Sequence, residues 1–271
     1  MLVVLVAGCS GFTGGDEPTP TLTPGEAPEP TTVYPPGVDE SGVVAPDALA
    51  EAHTDRDDGR SYTLISNRTV RYENGTLRAE ISTRIELATD RSFVVSVATD
   101  GPDGPLLLGE PPASAVYWSN GSTYARALTR DGRTTYNTFT PPDQYTGTWR
   151  YWTRTVAFGG RAGYSGQTIR EVFTSVPTTV VGRETRNGTT VVRLAGSSAE
   201  SSDFAAPEID SVTNLTLQAA VDTNGLVRLL QYRFDGTVDG EPVVVERTIR
   251  YEAVGSTTVE KPSWLDRAVG Q

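Results

Sequence analysis

His53 is the only histidine in the 271-residue chain, so any chemistry that needs an imidazole must use it. Asp55, Asp57 and Asp58 follow closely. One imidazole among carboxylates suggests either a metal site or a Ser-His-Asp relay. The spacing supports neither. Structural zinc sites take several His or Cys ligands at set intervals. An EF-hand calcium loop needs a twelve-residue ligand pattern that is not present. No serine near His53 sits in a Gly-x-Ser-x-Gly elbow. The cluster reads as a solvated loop after a short helix over 46–53. An acidic chain always offers carboxylate pairs for hydrolysis, but no motif selects one here. The sequence therefore nominates no catalytic residue, no metal ligand and no cofactor.

Cys9 is the single cysteine, which excludes an internal disulfide. Its thiolate is the nucleophile of the chain and can be thioether-linked to a lipid. An apolar run, Leu2-Val3-Val4-Leu5-Val6-Ala7, precedes Gly8 and Cys9. The segment Val6-Ala7-Gly8-Cys9 resembles the lipobox of bacterial and archaeal lipoproteins. That resemblance implies that residues 1–8 are removed on export and that Cys9 becomes a lipidated N-terminus. The membrane would then be a partner through that lipid, with the protein on the extracellular side. One lipid chain binds only marginally, so a stable anchor needs a two-chain lipid or a further contact. Residues 9–36 carry Pro18, Pro20, Pro24, Pro28, Pro30, Pro35 and Pro36 with interspersed Thr. Such a segment cannot pack a core and favours extended polyproline II, so it reads as a tether.

Five Asn-x-Ser/Thr sequons are candidate N-glycan acceptors, at Asn67, Asn74, Asn120, Asn187 and Asn214. In three of them, at Asn74, Asn120 and Asn187, a glycine follows, so the Asn also serves a turn. The larger aromatics gather in mid-chain. Trp118, Trp149, Trp152, Phe158 and Phe173 are candidates for a hydrophobic ligand surface or for ordinary core. The net charge is −11, which argues against nucleic-acid partners, since these want basic stripes. Lys261 is the only lysine among 23 basic residues. Acid excess with almost no lysine fits a high-salt proteome, in which carboxylates hold water and ions at the surface; a GC-rich genome that favours Arg codons is the alternative for the missing lysine.

These groups need a scaffold, and the text between them is mostly β. Thr, Val, Tyr and Arg alternate, and turn pairs interrupt the runs. Asn74-Gly75, Asn120-Gly121, Asp131-Gly132, Asn187-Gly188, Asn224-Gly225 and Asp239-Gly240 sit between strand-like segments. Such pairs tolerate the positive φ angles of type I′ hairpin turns. The pattern predicts 62–73 pairing with 76–89, 116–119 with 123–128, then 134–140. It further predicts 179–186 with 189–195, 215–222 with 226–235, and a closing strand over 243–253. About ten or eleven strands in up-and-down order result, and such a sheet must curl to protect its edges. Residues 167–176 place Ile169, Val172, Phe173 and Val176 on one helical face. Residues 145–158 fit a lid-like loop, a strand or a short helix.

A short N-terminal helix, a long meander, mid-chain helices and a final hairpin run ending Val259-Glu260-Lys261-Pro262-Ser263-Trp264-Leu265 resemble the half-barrel of lipoprotein carriers and mycobacterial lipid-binding lipoproteins. The segments Tyr34-Pro35-Pro36-Gly37-Val38, Ser61-Tyr62-Thr63 and Val70-Arg71-Tyr72-Glu73-Asn74-Gly75 are similar to haloarchaeal surface lipoproteins of an uncharacterised family. The resemblance implies a mainly β fold: a curved antiparallel half-barrel over 37–271, with helices across its concave side. It transfers no catalytic residue. The function expected is a non-enzymatic, membrane-anchored lipoprotein that binds a hydrophobic or lipid-like ligand. The alternative is a structural or interaction module of the cell envelope whose sheet is filled by its own side chains, with another envelope protein as partner. A carboxylate-dependent envelope hydrolase is the weakest of the three.

Overall fold

The computed structural model describes residues 33–139, 145–159, 165–186, 188–200, 204 and 208–270. Cys9, the signal-like residues 1–8, nearly all of the tether and Asn187 lie outside the described residues.

A small hairpin of β1 (Val38–Asp39) and β2 (Gly42–Val43) opens the fold, followed by α1 (Pro46–Gly59). Pro46 starts α1 where a missing N–H costs nothing. Six strands follow: β3 (Tyr62–Tyr72), β4 (Leu77–Leu87), β5 (Phe93–Asp100), β6 (Ala113–Ser119), β7 (Tyr124–Arg130) and β8 (Arg133–Phe139). A 3-10 turn (Tyr145–Gly147), a π-helix (Tyr151–Ala157) and α2 (Ser165–Ser175) come next. Five more strands close the sheet: β9 (Thr178–Arg186), β10 (Thr189–Glu200), β11 (Ser211–Asp222), β12 (Val227–Val238) and β13 (Glu241–Glu252). A short α3 (Leu265–Val269) ends the chain.

The eleven long strands form one curved, open, antiparallel sheet in the order β8-β7-β6-β5-β4-β3-β13-β12-β11-β10-β9. This is the curved, mainly β sheet that the alternation predicts, in the half-barrel form with short helices that the resemblance implies. Its internal order is two meanders. β3 to β8 step outward to one edge, and β9 to β13 step back from the other. They meet where β3 pairs with β13, Arg68 opposite Arg247. The closing strand thus lies in the middle of the sheet. The chain must travel from one edge to the other between β8 and β9. With neighbouring strands about 4.8 Å apart, that crossing is long, and it carries the π-helix and α2 over one face.

Both edges are covered, as open edges need to be. The β1–β2 hairpin lies on β9, where the Val43 N–H donates to Thr178 Oγ1 at 3.0 Å. At the opposite edge α3 packs beside β7 and β8. The inner face alternates as strands with one buried face should, through Leu64, Ile85, Val95, Leu217 and Val245, all at most 2% exposed. A second, small cluster on the outer face joins Trp118 and Ala125 to Leu265 and Ala268.

Three expectations change. The helix expected over 46–53 runs on to Gly59, so the residues after His53 are helical rather than a solvated loop. Leu49, Ala50, His53 and Asp57 form its buried stripe, at the spacing of a helix face. His53 and Asp57 occupy positions where apolar residues would have announced the helix. Secondly, among the pairs whose two residues are both described, only Asp131-Gly132 and Asp239-Gly240 have both at positive φ, as type I′ requires. At Gly75, Gly121 and Gly225 the glycine alone is positive. In the first of these the Gly75 N–H returns to the Tyr72 carbonyl at 2.8 Å, giving a longer loop. Thirdly, residues 93–100 form β5, a strand the expected pairings leave out although Asp100-Gly101 closes it.

Candidate functional site

The crossing connection leaves a cleft of about 380 Å³ between itself and the sheet. Its floor is a ladder row, because directly opposed residues on neighbouring strands share a face. Tyr232, Arg247, Arg68 and Ile81 are consecutive partners across β12, β13, β3 and β4. Phe234 and Val245 line it from the next row. The roof comes from Tyr151, Thr155 and Val156 of the π-helix and from Phe158 just beyond it, with Thr168 and Glu171 of α2 at one side. Leu107, Phe204 and Glu208 complete the walls.

Several hydrogen bonds hold the roof to the floor. The Ala157 carbonyl, at the C-terminal end of the π-helix, accepts the Ser66 hydroxyl at 2.7 Å and the Arg247 guanidinium. Helix-end carbonyls lack partners within their own helix, and here β3 and β13 supply them. Thr168 Oγ1 donates to the Phe158 carbonyl at 3.0 Å, tying α2 to the same point. Tyr62 and Thr153 share a hydroxyl–hydroxyl bond of 2.9 Å. π-helical turns are rare and concentrate at functional sites.

Arg247 is 6% exposed. Its Nε has no hydrogen-bond partner among the described residues. Burial pulls its pKa down; Tyr232 opposes this, and neighbouring Arg68 adds to it. Arg68 meets Glu208 at 3.4 Å, but the Glu208 side chain is 75% exposed. Most other described arginines with ion pairs lie at the surface beside carboxylates, as Arg233 does with Glu246 and Arg250 with Glu252.

Behind Phe158 lies a sealed polar cluster. The Phe158 ring packs 5.3 Å from the His53 ring and 6.3 Å from that of Tyr251, centroid to centroid. Tyr251 donates its hydroxyl to Asp57 Oδ1 at 2.9 Å. Burial raises the Asp57 carboxyl to about 6, against the pull of the Tyr251 and Tyr62 hydroxyls. His53 accepts the Val227 N–H on Nδ1 at 3.2 Å. Burial, with Arg154 adding to it, lowers its pKa to about 3. The ring is therefore neutral with its proton on Nε2. Both side chains are at most 1% exposed, so the cluster positions α1 against the β11–β12 turn and β13 and offers substrate no access. No group of three or more His, Cys, Asp or Glu among the described residues is placed to hold a metal ion.

The five nominated aromatics are all buried, and they separate. Trp149, Trp152, Phe158 and Phe173 join the main core, whereas Trp118 faces the outer cluster under α3. Only Phe158 among them lines the cleft. Asn67, Asn74, Asn120 and Asn214 are exposed. Asn74 and Asn120 also serve their turns, accepting the Thr76 N–H at 2.9 Å and the Ser122 N–H at 3.1 Å. The sequence reading missed Arg68 and Arg247, and it put His53 and Asp57 in a solvated loop where the structure buries both on α1. The i, i+4 spacing of His53 and Asp57 behind Leu49 was a usable signal for the pair. Nothing local marks the two arginines, because strands from opposite ends of the domain bring them together.

A model of the family described as Family of unknown function (DUF7537) matches residues 1–268. No curated protein matches the chain in sequence. Among solved structures it is similar to the lipoprotein LppX of Mycobacterium tuberculosis, at 10% identity and a TM-score of 0.36, over 80% of this chain and 98% of that one. LprF from Mycobacterium bovis gives 10% identity and a TM-score of 0.37, over 80% and 96%. A LolA superfamily protein from Nitrosomonas europaea gives 9% and 0.25, over 80% and 96%. Values this low leave ligand and activity to be argued from the chain's own residues.

Proposed function

We propose that this chain, which belongs to the DUF7537 family of unknown function, is a lipid-anchored envelope protein that binds a hydrophobic or lipid-like ligand in the cleft beneath its π-helix. The cleft is the observation that carries the reading. Its volume of about 380 Å³ lies at the lower end of the range of small-molecule sites, and its walls set apolar side chains beside convergent polar groups such as Arg68 and Arg247, which fits an amphiphilic ligand. One acyl chain suits that space better than a multi-chain lipid. The reading assigns no catalytic residue.

The anchor rests on Cys9 and the three residues before it, Val6-Ala7-Gly8, which complete its lipobox-like segment. No helix among the described residues is long and apolar enough to cross a membrane, so lipidation is the contact proposed. It places the protein at the cell membrane, facing outward, with residues 9–36 as the tether and residues 37–271 as the folded domain. Replacing Cys9 with Ser is expected to release the protein into the medium, and retention in the membrane fraction would refute the anchor.

Native mass spectrometry of protein purified gently from its host tests the ligand. A co-purifying lipophilic mass is expected, and a bare polypeptide would remove the basis for the carrier reading. The second reading, a filled envelope module without a ligand, draws on Trp149, Trp152 and Phe173, which already occupy much of the space over the sheet. The same spectrum decides between the two.

A further inference from the structure

The cleft floor puts two like charges side by side. Arg68 and Arg247 are direct cross-strand partners on the inner face, an arrangement that destabilises a sheet when nothing neutralises it. A buried charge without a counter-ion is costlier still. Arg247 has no carboxylate within salt-bridge distance among the described residues. Its one hydrogen-bond acceptor there is the neutral Ala157 carbonyl, and its Nε–H is buried and unpartnered. Glu208, the only ion-pair partner of Arg68 among the described residues, holds it at 3.4 Å from an exposed position. An entering anion can displace Glu208 without leaving any buried charge bare. Glu171, the other carboxylate at the cleft, is already engaged by Gln167 at 2.8 Å.

Apolar groups lead from this pair toward solvent. Phe158, Phe234 and Leu107 line the cleft, and the adjoining Leu106 is 67% exposed. We propose that the cleft takes a single-chain amphiphile by an anionic head, a carboxylate or phosphate seated between Arg68 and Arg247, with its tail against Phe158, Phe234 and Leu107. Paired guanidinium forks match the planar, multi-acceptor geometry of such heads. The inference rests on the cleft being a hydrophobic-ligand site and adds the chemistry of the head.

The test is displacement of the neutral dye Nile red from the full chain at fixed salt, by dodecanoate, by dodecanol and by inorganic phosphate. Dodecanoate is expected to act at a concentration about tenfold or more below that of dodecanol, the difference a charge-assisted contact supplies. Arg247→Gln and Arg68→Gln should each bring the ratio of dodecanoate to dodecanol potency down to about one, whatever the shift in dodecanol displacement itself. The dodecanol arm also reports whether each variant still folds, and the partly exposed Arg68 provides a substitution less disruptive than Arg247. Equal action of acid and alcohol on the wild type, or a preference that survives both substitutions, overturns the anionic head and leaves the cleft reading standing. If neither alkyl compound displaces the dye, the cleft reading itself falls. Phosphate that competes as well as dodecanoate in an arginine-dependent way would assign the pair to a free anion and overturn the amphiphile.

Discussion

Replacing Asp57 with Asn and His53 with Gln should tilt the pH dependence of unfolding in opposite directions. Asp57 has a folded pKa of about 6 against an ordinary value of 3.8. Between those limits the unfolded chain has released this proton and the folded one keeps it. Stability then falls as pH rises, by about 1.4 kcal/mol per unit and about 3 kcal/mol in all. His53 has a folded pKa of about 3 against 6.5. Between these limits the unfolded chain holds the proton and the folded one does not. Stability rises with pH at about the same slope, for about 5 kcal/mol in all, and is lost as pH falls from 6.5 toward 3. From about pH 4 to 6 the two contributions cancel in the wild type. Asp57→Asn keeps an acceptor for Tyr251 and removes the falling contribution, so its stability should gain a slope of about +1.4 kcal/mol per pH unit relative to wild type. His53→Gln should gain about −1.4 over the same window. Each substitution also shifts stability by a constant amount, which leaves the slope untouched. Urea unfolding at half-unit pH steps and constant ionic strength measures both. Two variant curves parallel to the wild type would refute the buried, oppositely shifted pair.

Trp152→Ala should cost about 3–5 kcal/mol in chemical denaturation, because the side chain is 2% exposed and its ring lies 4.4 Å from that of Tyr117; a loss below 1 kcal/mol would contradict this packing. Gly225→Ala should cost about 1–3 kcal/mol, since Gly225 has φ +94° and an added Cβ would lie 2.5 Å from that of Ala52; an unchanged denaturation midpoint would show that α1 does not bear on this turn. Intact mass of host-derived protein should exceed that of the polypeptide plus the proposed lipid and lose glycan-sized steps when Asn67, Asn74, Asn120, Asn187 and Asn214 are changed to Gln; no loss beyond the substitutions' own mass change would remove the glycans.

Strand identities were readable because period-2 alternation and Asn-Gly or Asp-Gly punctuation are local signals. The neighbours of β3 and β13 were not. A hairpin fixes a pair through its turn, whereas Thr63 and Glu252 pair with most of the chain between them. The arginine pair depends on that one long-range register and was therefore invisible in the text. The same cause hid the role of Trp118. Alternation divides Tyr117 and Trp118 between faces, but which face receives the helices depends on the crossing connection. α1 was under-read for a different reason. Its buried stripe contains a histidine and an aspartate, which composition assigns to solvent unless a tyrosine from β13 is known to meet them. Only α2, with Ile169, Val172 and Phe173 on one face, announced both its element and its orientation.

The meeting of the first and last long strands has a consequence for the order of assembly. Each meander can form from neighbours in sequence, and local pairings close quickly. The inner edge of β3, however, has no mate until β13 has been made and delivered. Throughout synthesis, the N-terminal meander therefore presents an unpaired edge, the kind of surface that recruits other chains. Loss of the C-terminal strand by early termination or proteolysis would make that exposure permanent. The last long strand thus acts as the stopper of the first, and the half-sheet is safe from its neighbours only once the whole chain has arrived.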